Sequence, residues 1–120
     1  MPQYILLLKG INQQLEHNSP EELQTLFEKY DTWVEDIRAE GKLKQAQKLL
    51  DDVRHEVSFR QGQVTDGPFA ETKETIGGYF VVETSTMQEA IEIARTCPVV
   101  THGGSVELRE IHVGACRYSD

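Results

Sequence analysis

The chain of 120 residues lacks a long hydrophobic run, an excess of positive charge and a rich supply of cysteine. Its early apolar stretch, residues 4–8, falls far short of the roughly 20 residues that span a bilayer, and no basic segment precedes it, so we expect neither a membrane anchor nor a signal peptide. Twenty acidic residues against twelve basic ones give a net charge of −8, which argues against nucleic-acid binding. The two cysteines, Cys97 and Cys116, are expected to be free thiols of a cytoplasmic protein.

Several motifs of common enzyme chemistries are also missing. The sequence has no phosphate-binding loop of the Gly-x-x-x-x-Gly-Lys-Ser/Thr type, no Gly-x-Ser-x-Gly elbow and no dinucleotide fingerprint. Cys97, His102, His112 and Cys116 are separated by four, nine and three residues, a spacing that matches no compact zinc pattern. We therefore predict a protein without a metal site or a cofactor.

The first half of the chain predicts a strand followed by a helix. Residues 4–8 are apolar, too short for a helix and followed by Gly10, which indicates a buried strand. Ser19-Pro20-Glu21-Glu22 is typical of a helix start with a capping box, and Gly41 suits the helix end. The helix would bury one apolar stripe at spacings of three and four: Leu23, Leu26, Phe27, Tyr30, Val34 and Ile37.

The middle of the chain predicts a further helix and two strands. Apolar residues at helical spacing suggest a helix over residues 43–53, although a loop is the alternative. Val57 and Phe59 alternate with polar residues, which indicates a second strand, and Gln61-Gly62 supplies a turn after it. Residues 79–82, which follow Gly77-Gly78, indicate a third strand.

The last part of the chain predicts a helix and a strand. Thr86 begins a helix that stops before Cys97-Pro98. The apolar parity changes between residues 106–108 and 111–113, which predicts a last strand with a bulge near Arg109-Glu110. The element order indicates a ferredoxin-like α+β fold, an antiparallel sheet with both helices on one face. A second copy of the chain would cover the other face, so we expect a homodimer.

A nine-residue motif stands between the predicted second and third strands. Asp66-Gly67-Pro68 predicts a turn, Phe69 needs an apolar pocket of its own, and four polar residues follow: Glu71, Thr72, Lys73 and Glu74. Together with the double glycine and Tyr79, this segment resembles the signature of the YCII-related family, in the subgroup named for its Asp-Gly-Pro-Phe motif. The resemblance extends over nearly the whole chain.

The resemblance implies a ferredoxin-like fold that dimerises as an α+β barrel. Function in this subgroup is largely unassigned; some members are encoded near extracytoplasmic-function sigma factors, and a few distant relatives are enzymes that act on small aromatic compounds. The better-studied branch is proposed to use a histidine and an aspartate, with the histidine on the first helix. Here the corresponding stretch, Tyr30-Asp31-Thr32-Trp33, contains no histidine, so the resemblance does not assign that pair.

Each candidate site residue has a structural alternative. Asp66 could bind a polar ligand or transfer a proton, or could cap its own turn. The polar group at residues 71–74 could bind a ligand or form a surface ion-pair network. His102 could act as an acid or a base, or simply be a solvated loop residue. Arg109 could hold a ligand carboxylate or pair with a glutamate.

Two functions of different classes follow. The first is a cytoplasmic homodimer that binds a small organic molecule in a pocket bordered by Asp66, Phe69 and residues 71–74, with cofactor-free acid/base chemistry as an option. The second is a non-catalytic accessory or regulatory module in which the motif loop is a structural clasp at the dimer interface. Neither function involves nucleic acid or a membrane.

Overall fold

The computed structural model describes residues 1–50, 55–68 and 76–112. Four strands form an antiparallel sheet in the order β2-β5-β1-β6, and β3 and β4 pair separately as a hairpin. This is the strand order of a ferredoxin-like α+β fold with a hairpin inserted between its second and third sheet strands. The elements are β1 Gln3–Lys9, α1 Ile11–His17, α2 Pro20–Ala39, β2 Leu43–Lys48, β3 His55–Arg60, β4 Gln63–Pro68, β5 Ile76–Glu83, α3 Met87–Arg95, α4 Pro98–Thr101 and β6 Ser105–Glu110.

Strand β1 is a central strand of the sheet because it pairs with β5 on one side and with β6 on the other, and alternate side chains along it are buried. Tyr4, Leu6 and Leu8 are almost fully buried and pack with the helices in one core cluster. Ile5 and Leu7, which point to the other face, are half-buried and lie outside that cluster. The helices therefore pack on one face of the sheet, as the sequence predicts.

Helix α2 begins and ends where the sequence indicates. Ser19 Oγ accepts a hydrogen bond from the Glu22 backbone N–H at 3.2 Å, and Glu22 Oε1 accepts one from the Ser19 N–H at 3.0 Å, which completes the capping box. Gly41, with φ of 72°, follows the helix in the left-handed region. The buried residues of α2 are Leu26, Trp33 and Ile37, so its sheet-facing line is narrower than the predicted stripe.

Trp33 joins α2 to the sheet and to α3. Its ring meets the ring of Phe80 edge to face, with centroids 4.8 Å apart. Its Nε1–H donates to the Ile93 carbonyl at 3.2 Å and to Thr96 Oγ1 at 3.1 Å. These contacts satisfy the one polar atom of a large buried side chain and fix the spacing between the two helices.

Cys97, in the turn between α3 and α4, is a free and fully buried thiol of the same core. Burial raises its pKa to about 11, so the thiol stays protonated at neutral pH. A protonated, inaccessible thiol is neither a nucleophile nor a metal ligand. Cys97 is therefore a core residue.

The predicted helix over residues 43–53 is wrong, because residues 43–48 form strand β2. Leu43 pairs with Val82, and Ala46 pairs with Phe80, at the edge of the sheet. The apolar spacing in this segment is compatible with a helix, but pairing with β5 outweighs the local preference. Consequently the second strand of the sheet is β2, and the strand predicted around Val57 belongs to the inserted hairpin.

The turn predicted at Asp66-Gly67-Pro68 is also wrong. These residues lie in β4, where Asp66 pairs with Val57. The hairpin turns instead at Gln61-Gly62, as predicted, with positive φ at both residues, 52° and 78°. Positive φ at two successive residues is typical of a tight hairpin turn.

The predicted bulge near Arg109-Glu110 does not occur. Strand β6 pairs with β1 without a register shift, from Lys9 opposite Ser105 to Tyr4 opposite Glu110. The apolar parity changes because the strand ends at Glu110. Helix α1 was not predicted, since its seven residues show no apolar stripe long enough to recognise. None of the helices in the described part of the chain is long and apolar enough to cross a membrane.

Carboxylates on the sheet make the fold sensitive to acid. A hydrogen bond from Lys9 Nζ, at 2.9 Å, lowers the pKa of Glu107, and one from Gln3 Nε2, at 3.2 Å, lowers that of Glu83. Because each folded-state pKa lies below the unfolded value, the unfolded chain takes up protons first as the pH falls. Their stabilisation is thus present above about pH 4.5 and is lost below it.

We therefore expect the melting temperature to fall as the pH is lowered from 5 to 3. Glu107→Gln should lower the melting temperature at pH 7 and have little effect at pH 3, so the two curves converge in acid. Differential scanning calorimetry across this range measures both curves. Glu28→Gln, on the exposed side of α2, is the control and should melt like the wild type at every pH. If it too melted lower than the wild type at pH 7 and matched it at pH 3, the assignment to Glu107 would be contradicted.

Candidate functional site

A groove of about 570 Å³ opens between α2 and the β2–β5 edge of the sheet. Helix α2 contributes Phe27, Tyr30 and Asp31, while β2 and β5 contribute mainly Ala46, Lys48, Gly78 and Phe80. Its volume lies in the range of small-molecule sites, and its lining is mostly apolar with a few polar groups. Among the described residues, this groove is therefore the candidate functional site.

Aromatic side chains form much of the wall of the groove. Phe27 is 49% exposed although it belongs to the apolar stripe of α2. It sits one residue beyond Leu26, which is buried against the core, so the turn of the helix carries Phe27 to the side of the core line. Phe80 is held in place by its edge-to-face contact with Trp33. An exposed aromatic ring next to a fixed one offers stacking surface to a planar ligand.

Tyr30 combines an apolar ring in the groove with a buried hydroxyl. Burial raises the pKa of the phenol, so it keeps its proton at any physiological pH and can donate a hydrogen bond. Among the described residues this hydroxyl has no hydrogen-bond partner. A buried hydroxyl without a partner costs roughly 1–3 kcal/mol, which makes Tyr30 the least satisfied polar group in the wall of the groove.

One carboxylate and one ammonium group line the groove with the aromatic rings. Asp31 is exposed on α2, and Lys48 ends β2, where its Nζ donates to the Leu49 carbonyl at 2.6 Å. Gly78 allows β2 to approach closely, because a Cβ at this position would lie 3.0 Å from the Gln47 carbonyl oxygen. Asp31 on α2 and Lys48 on β2 thus place opposite charges in the lining of the same groove.

The motif residues fall only partly within the structure. Asp66 lies in β4, opposite Val57. Phe69, Glu71, Thr72, Lys73 and Glu74 lie outside the described residues, between the end of β4 at Pro68 and the start of β5 at Ile76. Gly78, two residues after that start, lines the groove. In sequence the motif therefore leads directly into the groove.

His102 and Arg109 do not line this groove. His102 Nδ1 lies 2.9 Å from the Pro98 carbonyl oxygen and 3.1 Å from Thr101 Oγ1, and Nε2 lies 3.5 Å from Lys29 Nζ. Gln14 Nε2 also donates to the His102 carbonyl, at 3.1 Å. These contacts give His102 a structural place at the end of α4. Arg109 is exposed on β6, in register with Ile5 on the sheet face away from the helices.

A second groove of about 800 Å³ runs between α2 and α3. Its floor is closed by Trp33 and Ile37, which are 7% and 5% exposed. At one end Lys42 Nζ lies 2.9 Å from Glu40 and 3.1 Å from Glu89, and the hydrogen bonds that it donates to both carboxylates raise its pKa. The charged groups at that end already have partners. Seven charged side chains line this groove, against two in the β2–β5 groove, so it is the less suited of the two to an apolar ligand. Within residues 1–50, 55–68 and 76–112, no three His, Cys, Asp or Glu side chains are placed to hold a metal ion.

Several residues of the β2–β5 groove were not singled out from the sequence. Phe27 and Tyr30 were predicted as core residues, and Asp31 was named only for the absence of a histidine. Ala46 and Lys48 were hidden by the wrong helix over residues 43–53. A signal existed in α2, since Leu26, Tyr30, Trp33 and Ile37, spaced by four, three and four residues, make a sheet-facing line that does not include Phe27.

The YCII-related domain matches residues 3–113, so the chain belongs to the YCII-related family. An uncharacterised protein of Rhizobium meliloti (strain 1021) is 39% identical over 49 residues, a match that spans 40% of each protein. A solved structure, 5-chloro-2-hydroxyhydroquinone dehydrochlorinase (TftG) from Burkholderia phenoliruptrix AC1100 in complex with 2,5-dihydroxybenzoquinone, aligns with a TM-score of 0.49 at 13% identity. That alignment covers 89% of this chain and 90% of the other.

Proposed function

We propose that this protein binds a small, largely aromatic organic molecule in the β2–β5 groove. The observation that carries the proposal is the groove itself, with the rings of Phe27, Tyr30 and Phe80 around it. Asp31 and Lys48 select a ligand that also bears a hydroxyl or carboxyl group. A hydroxyl can donate a hydrogen bond to the Asp31 carboxylate, and a hydroxyl or carboxylate oxygen can accept one from the Lys48 ammonium group. An apolar groove with few polar groups orients such a ligand without a cofactor.

The motif is proposed to border one end of this site. Asp66, Phe69, Glu71, Thr72, Lys73 and Glu74 lead into β5 at the groove, which supports the placement. Asp66 or Asp31 would supply the carboxylate for proton transfer if the bound molecule reacts, while Tyr30 keeps its proton and could only donate. Whether the protein is an enzyme then depends on proton transfer at one of these two carboxylates.

The functional unit is proposed to be a homodimer formed through the sheet face away from the helices. Apolar side chains occupy the middle of that face, and polar residues of β2 and β6 flank them. The apolar side chains are Ile5, Leu7 and Tyr79, which are half-buried, and Val81, which is already buried; all four lie outside the helix-side core cluster. An isologous contact of two such faces would remove the remaining accessible surface of Ile5, Leu7 and Tyr79 from water.

The alternative function, a non-catalytic module whose motif is a structural clasp, is favoured by one observation. The hairpin that carries Asp66 also presents Val57 and Phe59, which are 64% and 71% exposed. Exposed apolar side chains on a hairpin indicate contact with another surface. A ligand site and a clasp are compatible, because the first depends on the groove and the second on the hairpin.

Filling the groove should abolish binding without unfolding the protein. Ala46 is exposed on the edge strand β2, so Ala46→Phe would occupy the groove at little cost to the core. We expect at least about a tenfold loss of affinity, measured by isothermal titration calorimetry with a panel of phenols, hydroxybenzoates and quinones. Gln24→Phe, exposed on α2 away from the groove, is the matched control. Equal binding by Ala46→Phe and the wild type would contradict the site.

Tyr30→Phe separates binding from stability. Removal of the unpartnered hydroxyl should leave the melting temperature of the free protein unchanged or raised, because an unsatisfied buried group is lost. Ligand affinity should stay the same, because the ring that lines the groove is kept and the buried hydroxyl has no accessible surface from which to reach a ligand. Tyr79→Phe is the control: the Tyr79 hydroxyl accepts from Gln45 Nε2 at 3.0 Å, so its loss should destabilise the fold and not affect binding. If no compound in the panel binds the wild type, the proposed function fails.

A further inference from the structure

The β3–β4 hairpin carries an apolar face for which the core of its own chain provides no place. Val57 and Phe59 are two residues apart on β3, so both point to the same face of the hairpin. They are 64% and 71% exposed, and neither belongs to the core cluster. Val64 and Asp66 occupy the register positions opposite Phe59 and Val57. A large exposed apolar patch on a two-stranded ribbon is unfavourable in water and marks a contact surface.

We infer that this hairpin is an arm that packs on a second copy of the chain and carries Asp66 to the partner's side of the interface. The inference rests on the proposed homodimer and adds to it a second contact, distinct from the sheet face. The Asp-Gly-Pro segment of the motif then lies at the interface between the two subunits, in addition to leading towards the groove of its own chain.

The area of the sheet face supports a second contact. Four strands about 4.8 Å apart and about six residues long at about 3.3 Å per residue give a face of only about 400 Å². A stable interface buries about 800 Å² on each partner. The sheet face alone therefore supplies about half of what a durable dimer needs.

The hairpin can supply the remainder. Its two strands of six residues present a face of about 200 Å². In an isologous dimer each protomer buries the face of its own arm and also the surface that the partner's arm covers. Each protomer therefore buries the area of the hairpin face twice. With these reciprocal contacts the interface reaches the size of a stable one. A second copy is thus the occupant that the areas favour.

Charge does not oppose this arrangement. On the apolar face of the hairpin His55 is exposed on β3, the turn adds Gln61 and no acidic residue, and Asp66 of β4 occupies the register position opposite Val57. The sheet face that faces the partner carries both signs, with Lys9 2.9 Å from Glu107 and with Arg109 in register with Ile5. The arm therefore brings one acidic register position, Asp66, to a partner face that includes Lys9 and Arg109, so its charge has basic groups to meet there.

The first test compares the dimer dissociation constants of two matched variants by sedimentation equilibrium. Phe59→Ser removes the most exposed apolar side chain of the arm, whereas Leu50→Ser removes one that is 74% exposed but outside the hairpin. We expect Phe59→Ser to weaken the dimer about tenfold or more and Leu50→Ser to leave it unchanged. Thermal unfolding of each variant at a dilution that separates the subunits should be unaltered, since neither side chain is in the core.

The second test asks which chain the arm touches. Phe59 is replaced by the photoreactive p-benzoylphenylalanine in the full-length chain, and protein labelled with ¹⁵N is mixed with unlabelled protein before irradiation. Cross-linked peptides that join a labelled to an unlabelled segment show an arm on the partner. Cross-links confined to one label show an arm folded on its own chain and overturn the inference.

The outcomes separate the arm from the homodimer and from ligand binding. A wild-type protein that is monomeric at high micromolar concentration overturns both the homodimer and the arm. A dimer that Phe59→Ser does not weaken, with cross-links within one chain, overturns the arm and leaves the sheet-face dimer standing. Ligand binding is measured independently through Ala46→Phe, so its failure would leave the arm unaffected.

Discussion

Gly104→Ala is expected to destabilise the fold by about 3 kcal/mol or more, because its added methyl group meets closer contacts than one at Gly10, Gly41, Gly62, Gly78 or Gly103. A Cβ at this position would lie 2.5 Å from the Lys9 carbonyl oxygen, 2.7 Å from Val99 Cγ2 and 3.0 Å from the Val99 carbonyl oxygen. Two of these three atoms are backbone atoms, so no side-chain rotation relieves the clash. Strand β6 could begin beside β1 only if the backbone moved.

The neighbouring glycine provides the control. Gly103 has φ of 97°, but nothing lies within 4 Å of a Cβ built there. Gly103→Ala should therefore cost only the conformational strain, about 1–2 kcal/mol. Urea unfolding of both variants measures the difference. Equal losses of unfolding free energy would show that the contacts of Gly104 do not decide the outcome.

Leu6→Ala is expected to cost about 3–5 kcal/mol, a large part of the stability of a domain of this size. Leu6 is fully buried in the middle of β1, between Phe80 of β5 and Leu108 of β6, and packs with the helix-side core. Its truncation would leave a cavity that two hydrogen-bonded neighbours cannot close. The free energy of unfolding in urea should fall accordingly.

The adjacent residue tests which face matters. Ile5→Ala acts on the half-buried face away from the helices and should cost the separated subunit about 1–2 kcal/mol. If the homodimer forms through that face, the loss should increase with protein concentration. A loss for Leu6→Ala no larger than that for Ile5→Ala would contradict the one-sided core.

Features that depend on local chemistry could be predicted from the sequence. The capping box of Ser19 and Glu22, the helix end at Gly41 and the buried strand around Leu6 all lie where the residues indicate. The resemblance to the YCII-related family was confirmed, and so was the ferredoxin-like sheet with helices on one face. The cap, the helix end and the buried strand depend on residues that are close together in the sequence. The family and its fold were indicated by a motif that the family shares.

Features that depend on distant pairing could not be predicted. Leu43 and Ala46 have helical spacing, and only their pairing with Val82 and Phe80, more than thirty residues away, makes a strand of them. Asp66-Gly67-Pro68 has turn chemistry, yet Val57 opposite Asp66 keeps it in the hairpin. The groove follows from the same pairing, because Ala46 and Gly78 become neighbours only through the sheet.

The position of the hairpin in the chain, between β2 and β5, makes the core and the motif separable. Lys48 pairs with Gly78, and the Leu49 N–H donates to the Gly77 carbonyl at 2.9 Å, so the chain leaves the sheet and returns to it at the same place. A short turn could in principle join β2 to β5 there and leave all four sheet strands paired. The segment between these strands can therefore lengthen, shorten or change its chemistry in related proteins while the scaffold beneath it remains the same.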